Sequence, residues 1–280
     1  MKTYEHFGIR LTPLYPKKAE CEGLKEMKFA APILARYKES ARSTLFNYGV
    51  GVEVEAEHAR NFPSDKWVIE GDNSLRNDGR EYKTMYGHRI GDLPPTLLEL
   101  EKYSNHYKFV YSERTSVHVH LDVRMMTMQE AKTLFLLYLL FEKGLFRFAG
   151  PNRVHNVFCV PYTESVKCVR QRDFAELARR TEKYSAINLG TMATFGTIEF
   201  RHMSGNADAN HIFNWVLLLA HMKYYATHIP HETFMKNMLN LKTSSTFNHL
   251  KDEVFQGFSS LVVVDSREVD DAVTTAKLFL

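Results

Sequence analysis

Three short stretches of this chain alternate strictly between two kinds of side chain, and that alternation constrains the fold more than any other feature. Residues 48–57 read YGVGVEVEAE, residues 116–123 SVHVHLDV and residues 196–203 GTIEFRHM. Side chains two apart on a strand share a face. Glu53 and Glu55 therefore share one, with Val52 and Val54 behind them. His118, His120 and Asp122 share another, backed by Val117, Val119 and Leu121, and Glu199 and Arg201 a third, backed by Ile198 and Phe200. Each strand offers an apolar side to a core and a charged side to something else. Half-exposed strands often carry charge for solvation alone, but a solvated face mixes Thr, Lys, Ser and Glu. Here the polar positions are Glu, His, Asp and one Arg. Those are groups that hold divalent metals and phosphates. Two carboxylates on one strand repel unless a cation lies between them. Magnesium prefers carboxylates plus substrate phosphate oxygens, so a carboxylate-rich face beside an arginine suits Mg-ATP.

Around these strands the chain reads as mixed structure. Further strands are expected at Trp67–Glu70, at Glu81–Tyr86 and in SAINLGTM, residues 185–192. Pro94 and Pro95 suit a helix start, carried toward Tyr107 by Leu97, Leu98 and Leu100. Thr127 caps a helix through Phe141, with Glu130 completing a capping box and Gly144 as the stop. Helices are also expected over Asp173–Lys183, over Asp208–Tyr225 and, shorter, around the valine run at 262–264. Interleaved strands and helices mean α+β or α/β. Residues 1–47 read as a lead-in, 48–226 as the core carrying the motifs and 227–280 as a C-terminal helical extension, all within one compact domain.

Composition excludes several alternatives. With 280 residues and 44% hydrophobic content there is material for one large or two small cores. The 36 basic and 33 acidic residues nearly cancel, and a net charge of +3 is no argument for a nucleic acid partner. Cys21, Cys159 and Cys168 have neither the count nor the spacing of a disulfide framework or thiolate zinc site, which fits a reducing compartment. The N-terminal MKTYEHFGIR lacks the apolar core of a signal peptide. The most apolar run, Leu134–Phe141, falls far short of the roughly 20 residues that cross a bilayer. A cytoplasmic protein with no membrane partner is expected.

The pieces GVEVEAE, WVIEGDNSL, EYKT, SVHVHLD, KYSAINL and GTIEFRH, in that order, resemble the amidoligase family of carboxylate–amine ligases, relatives of glutamine synthetase and glutamate–cysteine ligase. The resemblance covers Tyr48 to Tyr225. It implies an α+β, glutamine-synthetase-like fold: a curved, mainly antiparallel sheet with helices packed on one face. It also implies that Glu53, Glu55, Glu81, His118 and Glu199 bind metal, Mg2+ or Mn2+. His120, the other imidazole of the H-x-H pair, would reach the phosphates of ATP, and Arg201 would hold phosphate in the transition state. Arg201, Glu199 and His118 would then carry the catalysis. Asp72 and Ser74 match a D-x-S turn toward the substrate end, and Tyr184 and Asn188 a stretch lining the pocket, with Ser74 and Asn188 on the cofactor side. The EYKT piece departs from the family pattern, in which the Glu is followed by small apolar residues and Ser or Thr.

The implied reaction forms an amide bond through an acyl phosphate. ATP phosphorylates the carboxylate, the amine displaces phosphate, and the protein supplies positioning and charge neutralisation. The acid and amine would be small molecules or peptides, and an amidotransferase supplying ammonia is a conceivable partner. Two other readings compete. HVHLD also looks like the H-x-H-x-D of zinc hydrolases, but these need a His after the Asp, where this chain has Val123. Their downstream histidines are unmatched as well, because His155, His202 and His211 sit in no ligand motif. The alternative of an inactive ligase fold used as a binding module is weakened by so many retained polar positions. Gly49 and Gly51 lack the Lys-Ser of a phosphate loop and read as strand packing. Arg170, Arg172, Arg179 and Arg180 read as a solvated helix face or, in the sharper version, as recognition of an acidic substrate. Arg76, Lys83 and Arg153 could grip a substrate carboxylate, but nothing in their spacing assigns them that role.

Overall fold

The computed structural model describes residues 4–6, 9–11, 45–85, 87–164, 174, 177–178, 184–241 and 243–279. Most of the lead-in, Cys21, Cys168 and most of the expected Asp173–Lys183 helix, including its arginines, lie outside the described residues. Strands β1 (Tyr4–His6) and β2 (Ile9–Leu11) pair with each other. The body of the molecule is a seven-stranded sheet of β3 (Gly49–Ala56), β4 (Trp67–Gly71), β5 (Arg80–Thr84), β6 (His88–Arg89), β7 (Ser116–Asp122), β8 (Ile187–Asn188) and β9 (Thr197–Ser204). Its order is β4-β5-β3-β7-β9-β8, with β6 beside the start of β3. Every pairing between these strands is antiparallel. The fold is α+β.

Seven α-helices accompany the sheet among the described residues: α1 (Pro94–Tyr107), α2 (Met128–Ala149), α3 (Thr191–Phe195), α4 (Ala209–His228), α5 (His231–Asn240), α6 (Ser244–Phe255) and α7 (Ser266–Lys277). The apolar side of each alternating strand is buried: Val52, Val54, Val117, Val119, Leu121, Ile198 and Phe200 are all inaccessible. They share one continuous core with Leu134, Phe135 and Leu137 of α2 and Trp215, Leu218 and Leu219 of α4. The C-terminal helices join that core through Phe234, Phe247 and Val273. Full burial of each such side chain stabilises by about 1.5–3 kcal/mol, so the alternation is locked in register: slipping any strand by one residue would turn its charges into the apolar core.

Helix starts follow the expected chemistry. The Thr127 hydroxyl accepts from Glu130 N, while Glu130 Oε2 accepts from Thr127 N at 2.6 Å. Asp208 caps α4 by accepting from His211 N at 2.9 Å. Two expectations need correction. Helix α2 does not stop at Gly144 but continues to Ala149. Gly144 is there for packing, because a Cβ on it would lie 2.8 Å from Val262 Cγ1 and 3.0 Å from Val264 Cγ2. The valine run of the C-terminal segment thus crosses α2 at its one side-chain-free position in that turn. Of SAINLGTM, only Ile187 and Asn188 are strand. Asn188 Oδ1 accepts from Gly190 N and its carbonyl accepts from Thr191 Oγ1, an Asn-centred turn that ends the strand and starts α3. Gly196, at φ 70°, closes that helix where a Cβ would meet Arg124 Cγ at 2.3 Å.

Candidate metal centre

The polar sides of the alternating strands meet at the middle of the sheet. Register places Glu53 of β3 opposite Lys83 of β5 and His118 of β7, and Glu55 opposite Glu81. His120 stands opposite Glu199 of β9, which faces Asn188 of β8 on its other side. Five adjacent strands therefore deliver the cluster without any loop. Between β7 and β9 the register shifts between Val117 and Val119. Such a bulge bends the strand and re-aims its side chains. His118 Nδ1 lies here 3.4 Å from both Glu53 Oε2 and Glu199 Oε1.

Two sets of three side chains could hold a cation. Glu53, His120 and Glu199 form one and Glu53, Glu81 and His118 the other, with ligand atoms in each set within 4.8 Å of one another. Glu53 belongs to both. His120 gives the fit its sharpest test. Its Nδ1 is 3.0 Å from Thr197 Oγ1, while its buried Nε2 has no hydrogen-bond partner among the described residues and points 3.5 Å from Glu53 Oε1. An imidazole fixed at one nitrogen, with the other directed at carboxylates, is the arrangement of a metal ligand held by an outer partner. The carboxylate and imidazole donors suit Mg2+ or Mn2+, with substrate oxygens completing the shell. The residues fit the ion.

Charge inside the cluster is finely opposed. Burial works against ionising Glu53, yet His120 and His118 hold its carboxyl well below the usual range. Burial likewise opposes ionisation of Glu199, and His120, His118 and Arg201 together bring it down. Burial disfavours the charged form of His120, but the Glu53 carboxylate outweighs it and raises the imidazole. Glu81 goes the other way: burial and the charge of Glu53 push it up to about 7 despite Lys83. The Lys83 ammonium, 2.6 Å from Glu81 Oε2, is nonetheless an ion-pair partner, so a charged Glu81 depends on a cation beside it.

The other expected site residues fall into two groups. Arg201 lies in the cluster, with Nη1 2.5 Å from Glu199 Oε1 and a buried Nε that has no hydrogen-bond partner among the described residues. Asn188 donates to Glu199 Oε2 at 2.8 Å, so it holds a ligand in place. Glu55 stands one step behind: its Oε2 accepts from Ser116 Oγ at 2.5 Å, and that hydroxyl is 2.7 Å from His118 Nε2. It belongs to neither ligand set. Ser74 and Asp72 occupy a turn after β4, where the exposed Ser74 donates its N–H to Asp72 Oδ1 at 2.8 Å and its carbonyl accepts from Arg114. Exposed Tyr184 stands edge-on to Phe158. Asp122, on the His118 face by sequence, is spoken for by Arg124, whose Nε and Nη2 donate to its two oxygens at 2.9 and 2.8 Å. That removes the third ligand of an H-x-H-x-D zinc site.

Sequence reasoning passed over Ser116 and Thr197, the outer partners of the two histidines, and Glu70, which accepts from Lys83 at 3.1 Å. The signal for the first two was available: each stands two residues before a site residue on the same alternating strand. Arg153 too has a use that its place in the sequence does not reveal. Buried, it donates to the carbonyls of Glu113, Thr115 and Arg201, tying the lead into β7 to the strand that carries Arg201. No helix among the described residues is long and apolar enough to cross a membrane. A scan of protein-family models finds none that matches the chain, and a search of curated proteins likewise finds no match.

Proposed function

We propose that this protein is an ATP- and Mg2+-dependent carboxylate–amine ligase on a glutamine-synthetase-like fold, forming an amide through an acyl phosphate of its acid substrate. The observation that carries the reading is the convergence of Glu53, His118 and Glu199, far apart in sequence, to within 3.4 Å contacts on one sheet face beside Arg201. A divalent cation bound there would neutralise phosphate charge and hold the nucleotide against the acid. Glu53, His120 and Glu199 would hold one cation, and Glu53, Glu81 and His118 would hold a second. Thr197 and Ser116 orient the two imidazoles, and Asn188 orients Glu199. Arg201, with a donor position to spare at Nε, neutralises the transferring phosphoryl oxygens.

The test is a screen of phosphate release from ATP across pools of carboxylic acids and amines, with products identified by mass spectrometry. The expected result is phosphate release that requires Mg2+ or Mn2+ and both substrates, with a new amide of the summed mass less water. Absence of turnover on every pair, together with absence of Mg2+-dependent nucleotide binding, overturns the reading. If ammonia serves as the amine, the partner expected beside this chain is an ammonia-releasing amidotransferase.

A further inference from the structure

The two halves of the cluster are not equally ready for a cation. On the His120 side, the Nε2 position carries no hydrogen bond among the described residues. Glu199 there divides its carboxylate between the neutral amide of Asn188 at Oε2 and one nitrogen of Arg201 at Oε1. The guanidinium spreads its charge over three planar nitrogens, which makes it a poorer stand-in for a metal ion than a point charge. On the Glu81 side the situation is reversed. Lys83 is a compact point charge on a flexible stem. Its Nζ is 2.6 Å from Glu81 Oε2 and 3.1 Å from Glu70 Oε2, and its residue stands directly opposite Glu53 in the ladder. Glu81 and Glu53, two of the three ligands of that set, thus have an ammonium beside them.

We infer that Lys83 is a tethered competitor of the second cation: its ammonium holds Glu81 in the cation's place, and a metal ion binds the Glu53–Glu81–His118 set only by displacing it toward Glu70. This inference rests on the metal reading above. Glu70, more than half exposed, gives the displaced ammonium a partner at the rim. The consequence is stepwise loading, in which the Glu53–His120–Glu199 set, whose Glu199 is paired with a guanidinium and not an ammonium, fills first and the Glu81 side fills later and more weakly.

Mn2+ titration of the full chain, followed by the paramagnetic signal of the free ion and without nucleotide, reads this directly. The wild type is expected to bind one Mn2+ tightly and a second at least about tenfold more weakly, since displacing a charge-assisted contact costs a factor of that order. Lys83→Met is expected to tighten the weak site about tenfold or more and leave the tight one unchanged. Lys83→Arg, which keeps the charge, should leave the second site weak. Lys83→Gln serves where thermal melting shows that Lys83→Met is not folded, with the same expected result. Equal tightening of both sites is the signature of a charge acting at a distance and overturns the inference. An unchanged or weakened second site does so too. Failure of every protein to bind Mn2+ overturns the metal reading as well, so the two claims fail in distinguishable ways.

Discussion

Two carboxylates in this molecule, buried Glu142 and partly exposed Glu53, have opposite surroundings. Glu142 of α2 accepts from Tyr138 Oη, Tyr162 N, Thr163 N and Thr163 Oγ1, so its oxygens are fully supplied by the protein. Burial raises its carboxyl, but every lone pair facing the interior has a donor. Glu53, on the sheet's other face, has long contacts of 3.4 and 3.5 Å to two imidazoles and a second carboxylate close by. One group is satisfied by the fold, and the other belongs to both sets of side chains that could hold a cation. A buried charge with a full set of donors is architecture; one crowded with like charge and half-used histidines marks a candidate site.

That contrast can be broken by mutation. Glu53→Ala or Glu199→Ala should lower metal-dependent ATP turnover by about 10²–10³-fold or more, while a cooperative melting transition shows that the fold is retained. Phosphate-release kinetics beside thermal melting checks both halves, and full activity in either variant would defeat the metal assignment. Arg201→Lys should fail to restore the wild-type rate, because a point charge does not replace a fork. Wild-type kinetics in that variant would rule out a bidentate phosphate contact. Glu142→Leu should do the reverse of the Glu53 change, costing about 3 kcal/mol of stability by leaving buried donors unmatched. Urea denaturation measures this, and a loss under about 1 kcal/mol would mean that the network is not architectural.

Smaller effects sharpen the same division. Gly144→Val forces side-chain atoms into Val262 and Val264 and should cost about 1–3 kcal/mol; unchanged stability in urea would show that this crossing is loosely packed. His202, buried behind the sheet against Tyr138 and Phe146, belongs to the architectural side. Burial, with help from Arg153, depresses it to about 3. An unfolded histidine takes up a proton near pH 6.5, so between about 6.5 and 3 the unfolded chain binds more protons than the folded one. Stability is therefore full above pH 6.5 and falls as pH drops through that window, by at most about 1.4 kcal/mol per pH unit from this group. His202→Gln should flatten that slope in urea denaturation followed against pH; an unchanged slope would assign the acid sensitivity elsewhere.

The alternation carried most of what could be known from the chain alone. Period-2 patterning fixed which side of β3, β7 and β9 is buried and which side chains share a face, because a strand has only two faces. It could not say that β5 lies beside β3, so Glu81 entered only through resemblance and Lys83 entered without a role. Glu81 is its neighbour two residues back on β5, but Glu70 meets it only through the pairing of β4 with β5. Glu55 and Asp122 show the limit from the other side: both share a face with site residues, yet Ser116 and Arg124 occupy them. Gly144 looked like a helix stop because glycine punctuates helices locally, and only the distant valine run reveals its use. The D-x-S turn around Ser74 matched a motif, but its visible bonds are those of an exposed turn.

The most direct test of the central claim is calorimetric titration of a non-hydrolysable ATP analogue into the full chain, with and without Mg2+, for wild type and Glu53→Gln. Binding that requires the cation in the wild type and is lost in Glu53→Gln is the predicted result. Binding of equal strength without Mg2+, or unchanged in Glu53→Gln, would contradict it.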